Sequence, residues 1–243
     1  VEFFMCGIVG YTGKQSVAKQ ILDALELLEY RGYDSAGMAI VDETNGQVQI
    51  RKRAGRVADL EKVWKANPVN GICGIGHTRW ATHGGVSDVN AHPHRAGRVT
   101  LVHNGIIENY EELKDHFGLA DELISDTDSE VVAAVLNRFY TGDPHEALFQ
   151  TVKCLKGTFA LVVIFDDIPD VIFAIRNVSP IVAAYREDGT MLASDVAALG
   201  GQATSYMVVP EYHVVELHTD DIRVYNMKNE LCEAEFLDID WDT

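Results

Sequence analysis

Strand and helix patterns follow one another in blocks along this chain of 243 residues, and that order limits the folds open to it. An apolar strand is predicted over residues 8–11, an amphipathic helix from Ser16, and mostly strands between residues 37 and 102. Helices are predicted between residues 109 and 155, and the last third is mostly strand. A doubly wound parallel sheet would need regular alternation of strands and helices. The order instead favours a single-domain α+β sandwich, with helices packed outside antiparallel sheets.

Three predicted elements carry the residues of most chemical interest. Short apolar strands are predicted over residues 72–75 and 99–102, and we expect the segment between them, rich in Gly, His, Thr and Ser, to form a long loop. The helix predicted over residues 128–140 has Asp128 as its candidate N-cap.

The composition excludes several classes of function. The formal net charge of −17 repels phosphate backbones and anionic lipid, so we expect no nucleic-acid and no membrane-surface partner. No apolar run is long enough to cross a bilayer, and the N terminus lacks the features of a signal peptide. Four cysteines lie far apart without a CxxC pair, which favours reduced thiols and a cytoplasmic protein.

Cys6 follows Met5 and precedes Gly7 at the start of the first predicted strand. If cleavage after Met5 made Cys6 the first residue, this residue would supply a nucleophilic thiol and an α-amino group able to act as base. Residues 1–4 are interpreted as a cloning remnant or an upstream start, and residues 1–5 together as a leader. While the leader remains, Cys6 carries a peptide nitrogen, which is not a base, so this form is predicted to be a poor catalyst.

Two arginines lie in unusual clusters of residues, and each cluster has a structural alternative. Arg31 and Gly32 close the first predicted helix, where the arginine would either compensate the helix dipole or place a guanidinium beside a site. Arg79 and Trp80 lie in a Gly-rich stretch that suits a lid, with the arginine clamping a carboxylate and the indole covering it. The alternative for this stretch is a surface loop with a partly buried tryptophan.

Further polar pairs follow the next predicted strand. Asn104 and Gly105 place a side-chain amide beside a backbone N–H, as an oxyanion hole requires, although Asn-Gly is also a common turn. Asp128 is suited both to a helix N-terminus and to binding a ligand ammonium. His92 and His94 suggest zinc, but Pro93 separates them and helical ligand spacing is lacking, so we predict no metal.

Six stretches, taken together and in order, resemble one family. They are CGIVG from Cys6, EYRGYDSAG from Glu29, HTRWATHG from His77, NAHPH from Asn90, HNGIIEN from His103 and TDSE from Thr127. The chain resembles the class II glutamine amidotransferases, and within them the glutaminase domains of the glucosamine-6-phosphate synthase type. The resemblance implies the N-terminal nucleophile (Ntn) hydrolase fold, a four-layer αββα sandwich of antiparallel sheets.

The resemblance also implies catalytic roles at the matching positions. Cys6 would attack the side-chain amide of L-glutamine and form a thioester, with its α-amino group relaying the proton. Asn104 and the Gly105 N–H would form the oxyanion hole. Arg31 and Gly32 would organise the nucleophile end of the site.

Substrate-binding roles are implied in the same way. Arg79 would pair with the α-carboxylate of glutamine and Asp128 with its α-ammonium, while Trp80, Thr82 and His83 would belong to a loop that closes over it. An amino acid needs one cationic and one anionic anchor, so these assignments agree with the residue chemistry. No metal and no cofactor is expected.

The family's full enzymes carry a C-terminal sugar isomerase domain, which would use the ammonia to convert fructose 6-phosphate to glucosamine 6-phosphate. We therefore interpret residues 6–243 as a glutaminase domain and the acidic residues 236–243 as the start of a linker. A homodimer is compatible with the sequence. The alternatives are a glutaminase serving another acceptor, as in amidophosphoribosyltransferase-like enzymes, a non-catalytic glutamine-binding module, and an amidase for another amide.

Overall fold

A computed structural model describes residues 6–240, and these residues form two antiparallel β-sheets. Their fifteen strands are β1 (Gly7–Gly13), β2 (Ser35–Val41), β3 (Val48–Ala54), β4 (Cys73–Arg79), β5 (His94–Ala96), β6 (Val99–Ile107), β7 (Gly157–Phe165), β8 (Ile168–Asn177), β9 (Val182–Arg186), β10 (Gly189–Ala193), β11 (Ser205–Val208), β12 (Val214–His218), β13 (Asp221–Tyr225), β14 (Leu231–Cys232) and β15 (Leu237–Asp238). The first sheet has the order β15-β11-β9-β10-β1-β4-β2-β3, and the second has the order β14-β13-β12-β8-β7-β6-β5.

Helices cover the outer face of each sheet. They are α1 (Val17–Leu28), α2 (Val57–Ala66), α3 (Tyr110–Phe117), α4 (Asp128–Phe139) and α5 (Pro144–Cys154). Helices α1 and α2 share a hydrophobic core with the first sheet, and α3 to α5 share a second core with the other sheet. A third core lies between the two sheets. The layers are therefore helix, sheet, sheet and helix, and the predicted α+β sandwich of antiparallel sheets is confirmed.

The strand alternation of β1 shows how the sequence builds these layers. Ile8 belongs to the core between the sheets, whereas Val9 and Tyr11 belong to the core beneath α1. Successive side chains of a strand point to opposite faces, so a continuous apolar run indicates a strand buried on both faces. Strand β1 is accordingly central, between β10 and β4.

The strands predicted over residues 72–75 and 99–102 both extend further than expected. Strand β4 continues through Arg79, which was expected in a loop, and strand β6 continues through Ile107, so that Asn104 and Gly105 lie within it. The prediction of Asp128 as an N-cap was also wrong, because Thr127 is the N-cap of α4 and accepts the Glu130 N–H. Polar residues are tolerated at these strand ends because they face a site between the layers and not the apolar core.

The sequence analysis missed five strands, of which β10 matters most because it pairs with β1 throughout its length. Its signal was the turn at Glu187 and Asp188, followed by Gly189, which joins it to β9. None of the helices within residues 6–240 combines the length and apolar character needed to span a bilayer.

Candidate active site

Cys6 immediately precedes β1, which is a central strand of the first sheet. Its Sγ accepts a hydrogen bond from the Trp80 N–H at 3.2 Å and lies 3.5 Å from the Trp80 carbonyl oxygen. Desolvation raises the pKa of the thiol to about 11, although the Trp80 N–H and the charge of Arg79 both lower it. Cys6 is therefore a neutral thiol near pH 7, and a nucleophilic role requires a base. Met5 and residues 1–4, interpreted above as a leader, lie outside the described residues.

Strand β6 brings Asn104 and Gly105 to Cys6 from the second sheet. The Asn104 Nδ2 donates a hydrogen bond to the Cys6 carbonyl oxygen at 2.8 Å. Gly105 has a φ of +132°, and a Cβ at this position would lie 2.1 Å from the Thr158 carbonyl oxygen. Only glycine fits this position, and the Asn-Gly pair belongs to a strand and not to the turn that was its alternative interpretation.

Cys6 lines two cavities. The smaller has a volume of about 20 Å³ and lies between Cys6, Arg79 and Asp128. The larger, of about 370 Å³, extends past Gly105 toward residues 178–180. The smaller volume holds about one water molecule, so an amino acid enters only if neighbouring residues move.

Arg79 is buried at the end of β4, and its guanidinium contacts the backbone of the following loop. It donates to the carbonyl oxygens of Gly85 at 3.1 Å and Gly84 at 3.2 Å, and also to that of His83. Thr82 and His83 line the smaller cavity together with Trp80. The arginine and the loop predicted to enclose a ligand are thus adjacent, and in this structure the arginine binds the loop itself.

Asp128 reaches the same cavity from the first turn of α4. It is 4% exposed, and its Oδ2 accepts the Ile107 N–H at 2.8 Å. The Ser129 hydroxyl lies 3.3 Å from Oδ1. A buried carboxylate with so few donors retains acceptor capacity for a cation.

Arg31 lies beside the larger cavity and forms an ion pair that the sequence analysis did not predict. Its Nη1 is 2.7 Å from Asp195 Oδ2, which also accepts the Tyr30 hydroxyl at 2.8 Å. Gly32 has extended backbone, and a Cβ there would come within 2.9 Å of the Trp80 Cβ. Arg31 therefore joins the end of α1 to the chain after β10, and Gly32 allows the close approach of Trp80.

Three polar residues that support the site were missed. Asp195 pairs with Arg31, the Ser194 hydroxyl accepts the Ile8 N–H at 2.9 Å, and the Asp34 carboxylate accepts the Ala81 N–H. Ser194 and Asp195 come directly after the missed strand β10, so recognition of its hairpin was the signal needed. Asp34 lies in the quoted motif at Glu29 but had no role assigned.

Four buried histidines lie near Cys6 and Asn104, and two of them, His92 and His103, line the smaller cavity. His77 and His92 stack with 4.0 Å between ring centroids, His94 Nε2 lies 3.1 Å from Thr127 Oγ1, and His103 Nδ1 contacts a serine hydroxyl at 2.8 Å. Burial lowers the pKa of all four. Within residues 6–240, no group of three His, Cys, Asp or Glu side chains is arranged to hold a metal ion. The histidines instead pack and make hydrogen bonds behind the site.

Comparison with known proteins identifies the class. A family model described as the glutamine amidotransferase domain matches residues 42–242, and the chain belongs to this family, in its class II branch. Curated relatives named glutamine–fructose-6-phosphate aminotransferase [isomerizing] include those of Streptomyces coelicolor, 43% identical, and Clostridium acetobutylicum, 39% identical. Each match covers 98% of this chain and 39% of the relative. The chain thus spans about two fifths of the length of these relatives.

Solved structures support the fold assignment. The glutamine phosphoribosylpyrophosphate amidotransferase of B. subtilis, complexed with ADP and GMP, has a TM-score of 0.77 at 20% identity and covers 93% of this chain and 50% of that one. A structure titled as the allosteric regulatory enzyme of purine biosynthesis has a TM-score of 0.79 at 21% identity, with 91% and 49% covered. The predicted Ntn hydrolase fold is confirmed.

Proposed function

We propose that residues 6–243 form a glutaminase domain that hydrolyses the side-chain amide of L-glutamine through a Cys6 thioester. The observation that supports this most is the convergence of Cys6, Asn104 and Asp128 from three separate elements around one site. Family membership supplies the reaction class, because an amidotransferase must release ammonia from glutamine.

The first half of the reaction would form the thioester. Once Cys6 is the first residue, its α-amino group accepts the thiol proton, directly or through water, and Sγ attacks the amide carbon. Asn104 Nδ2 has two hydrogens, so one can stay on the Cys6 carbonyl oxygen while the other faces the developing oxyanion beside the Gly105 N–H. The α-ammonium then returns the proton to the amide nitrogen, the C–N bond breaks and ammonia leaves.

The second half would regenerate the enzyme. Water attacks the thioester carbon while the α-amino group takes its proton, and collapse of the intermediate breaks the C–S bond and releases glutamate. Asp128 would hold the α-ammonium of the substrate and Arg79 its α-carboxylate, with Trp80, Thr82 and His83 covering the bound amino acid. Arg31 and Gly32 would keep the nucleophile end of the site in place.

The acceptor of the ammonia would lie outside this chain. The relatives are named for fructose 6-phosphate and extend far beyond the matched region, so we propose a C-terminal sugar isomerase domain as the partner that makes glucosamine 6-phosphate. Residues 1–5 would have to be removed for activity, because only then does Cys6 carry an amine.

The test compares a chain beginning at Cys6, its Cys6→Ala variant and the full 243-residue chain. We expect glutamate and ammonia in equal amounts from the first only, with glutamine binding retained in Cys6→Ala by calorimetry. Binding without turnover in the chain beginning at Cys6 would indicate a glutamine-binding module. Absence of both, with the fold intact, would contradict the proposal.

A further inference from the structure

His77 makes a hydrogen bond that controls which way the Asn104 amide faces. It lies in the middle of β4 and is fully buried. Its Nε2 is 3.0 Å from Asn104 Oδ1 and 3.1 Å from the His103 carbonyl oxygen. No role in the reaction has so far been assigned to this side chain.

The two partners of Nε2 determine the tautomer of the imidazole. A backbone carbonyl oxygen carries no hydrogen, so Nε2 must be the donor toward His103 and carries the proton. Burial, with nearby charges, lowers the pKa of His77 to about 3, so the ring is neutral at physiological pH. A neutral ring has one N–H, and in His77 it is directed at these two oxygens.

This donor fixes the orientation of Asn104. The oxygen and nitrogen of an amide have nearly the same shape, and only hydrogen bonds decide which way it faces. With Oδ1 on His77, the Nδ2 hydrogens face Cys6 and donate to its carbonyl oxygen at 2.8 Å. The flipped amide would place Oδ1 against that carbonyl and against any oxyanion, where it would repel both.

The His77 residue is itself held in place by a ring contact and by strand pairing. His92 stacks on it nearly parallel, with an interplanar angle of 10°. The Nδ1 of His92 accepts the backbone N–H of His103, the residue next to Asn104, at 3.2 Å. The backbone of His77 is fixed as well, because it pairs in register with Ile8 of β1, two residues from Cys6, and with Gly37 of β2. The nucleophile, the imidazole and the amide are therefore joined through three strands.

We propose that His77 is a positioning residue, whose Nε2–H keeps the Asn104 amide nitrogen directed at the oxyanion of the reaction. This inference rests on the proposed glutaminase function. If His77 had a purely structural role, its replacement would lower stability. If it orients Asn104, its replacement lowers turnover, and only while Asn104 is present.

The experiment uses chains that begin at Cys6 and measures kcat and KM for glutamine. Loss of one oxyanion donor lowers kcat by about 10²–10³-fold, and we expect His77→Leu to reach a large part of the loss seen in Asn104→Ala. KM should stay within about threefold in both variants, because oxyanion stabilisation acts in the transition state. His77→Gln, which offers a donor near the Nε2 position, should restore kcat to within about tenfold of the parent.

A double-mutant cycle separates positioning from general damage. In an Asn104→Ala chain, His77→Leu should change kcat by less than threefold, since the group it orients is gone. His145→Leu removes another buried histidine, far along the chain and paired with Glu216, and serves as the control for lost stability with kcat unchanged. Equal kcat losses from His77→Leu in the presence and absence of Asn104, or a His77→Gln chain no more active than His77→Leu, would overturn the inference.

Failure of the proposed function gives a different result. If the parent chain has no turnover, or Asn104→Ala leaves kcat unchanged, the glutaminase mechanism is wrong. The tautomer is then tested separately by ¹⁵N NMR of the His77 ring, where we expect the Nε2–H form from pH 5 to 9. An Nδ1–H ring would overturn the inference whatever the activity.

Discussion

Replacement of Asp128 by asparagine removes one negative charge from the smaller cavity and leaves the local backbone contact intact. The amide oxygen can still accept the Ile107 N–H that Oδ2 now accepts at 2.8 Å, and the volume of the side chain is nearly unchanged. What would be lost is the proposed charge-assisted hydrogen bond to the α-ammonium of the substrate. Hydrogen bonds to charged groups contribute about 1.5–3 kcal/mol, and about 1.4 kcal/mol corresponds to a factor of ten. We therefore expect KM for glutamine to rise about 10–150-fold, with kcat within about threefold.

The assay measures glutamate release by Asp128→Asn in a chain beginning at Cys6. A parallel series uses 4-carbamoylbutanoate, which is glutamine without its α-amino group. The wild-type chain should already hydrolyse this analogue poorly, and Asp128→Asn should not lower kcat/KM for it by more than about threefold. Equal losses with both substrates would refute an ammonium-binding role, and thermal unfolding of the variant provides the control for stability.

Three further predictions concern backbone fit, pH and thiol chemistry. Gly105→Ala should lower the free energy of unfolding in urea by about 3 kcal/mol or more, because its Cβ would lie 2.1 Å from a carbonyl oxygen. Gly118→Ala, in open space at a φ of +63°, should lower it by only about 1–2 kcal/mol. Similar losses in the two variants would contradict this prediction. Burial opposes charge on His145, but hydrogen bonds, chiefly with Glu216, outweigh it and raise its pKa, so this contribution to stability is full below about pH 6.5 and is lost as the pH rises through the raised value. In Glu216→Gln that loss should disappear from urea unfolding curves, and an unchanged pH dependence would count against it. In the 243-residue chain, iodoacetamide should alkylate Cys6 about tenfold faster per pH unit from pH 7 to 10, because its thiol pKa is about 11, and a plateau by pH 8 would contradict this.

Local patterns were sufficient to predict the layers of this fold. Helix α1 can bury its apolar face only by packing it on a sheet, and the continuous apolar run of β1 indicates a strand that is buried on both faces. The order of strands and helices along the chain excludes a doubly wound sheet. The end of β4 was assigned to a loop because the residues from His77 onward are polar and Gly-rich, and β6 was predicted to end before Asn104. Their hydrogen bonds are made with each other across the two sheets, and a single-sequence pattern contains no information on such partners.

Part of the candidate site could likewise be predicted from the sequence, and part could not. Cys6, Asn104 and Asp128 were predicted from motifs, and the structure places Cys6 at both cavities, Asn104 at the larger one and Asp128 at the smaller one. Asp195 was not predicted, because its ion pair with Arg31 joins residues 164 positions apart and depends on a strand that the pattern did not reveal. Residues proposed to bind a ligand can be recognised in the sequence by unusual clusters of reactive or charged residues. Residues that hold them in place can be recognised only from their contacts in the structure.

The hydrogen bonds of Arg79 bear on how the proposed ligand would enter the site. All three carbonyl oxygens that its guanidinium contacts belong to the loop at His83, Gly84 and Gly85. A carboxylate is a charged acceptor and binds a guanidinium more strongly than neutral carbonyls do, often through two parallel bonds. The α-carboxylate of glutamine would therefore compete with the loop for the same donors. Because the cavity has room for only about one water molecule, we expect the carboxylate to displace the loop from Arg79 and so enlarge the site. Carboxylate binding and loop displacement would then be one coupled equilibrium.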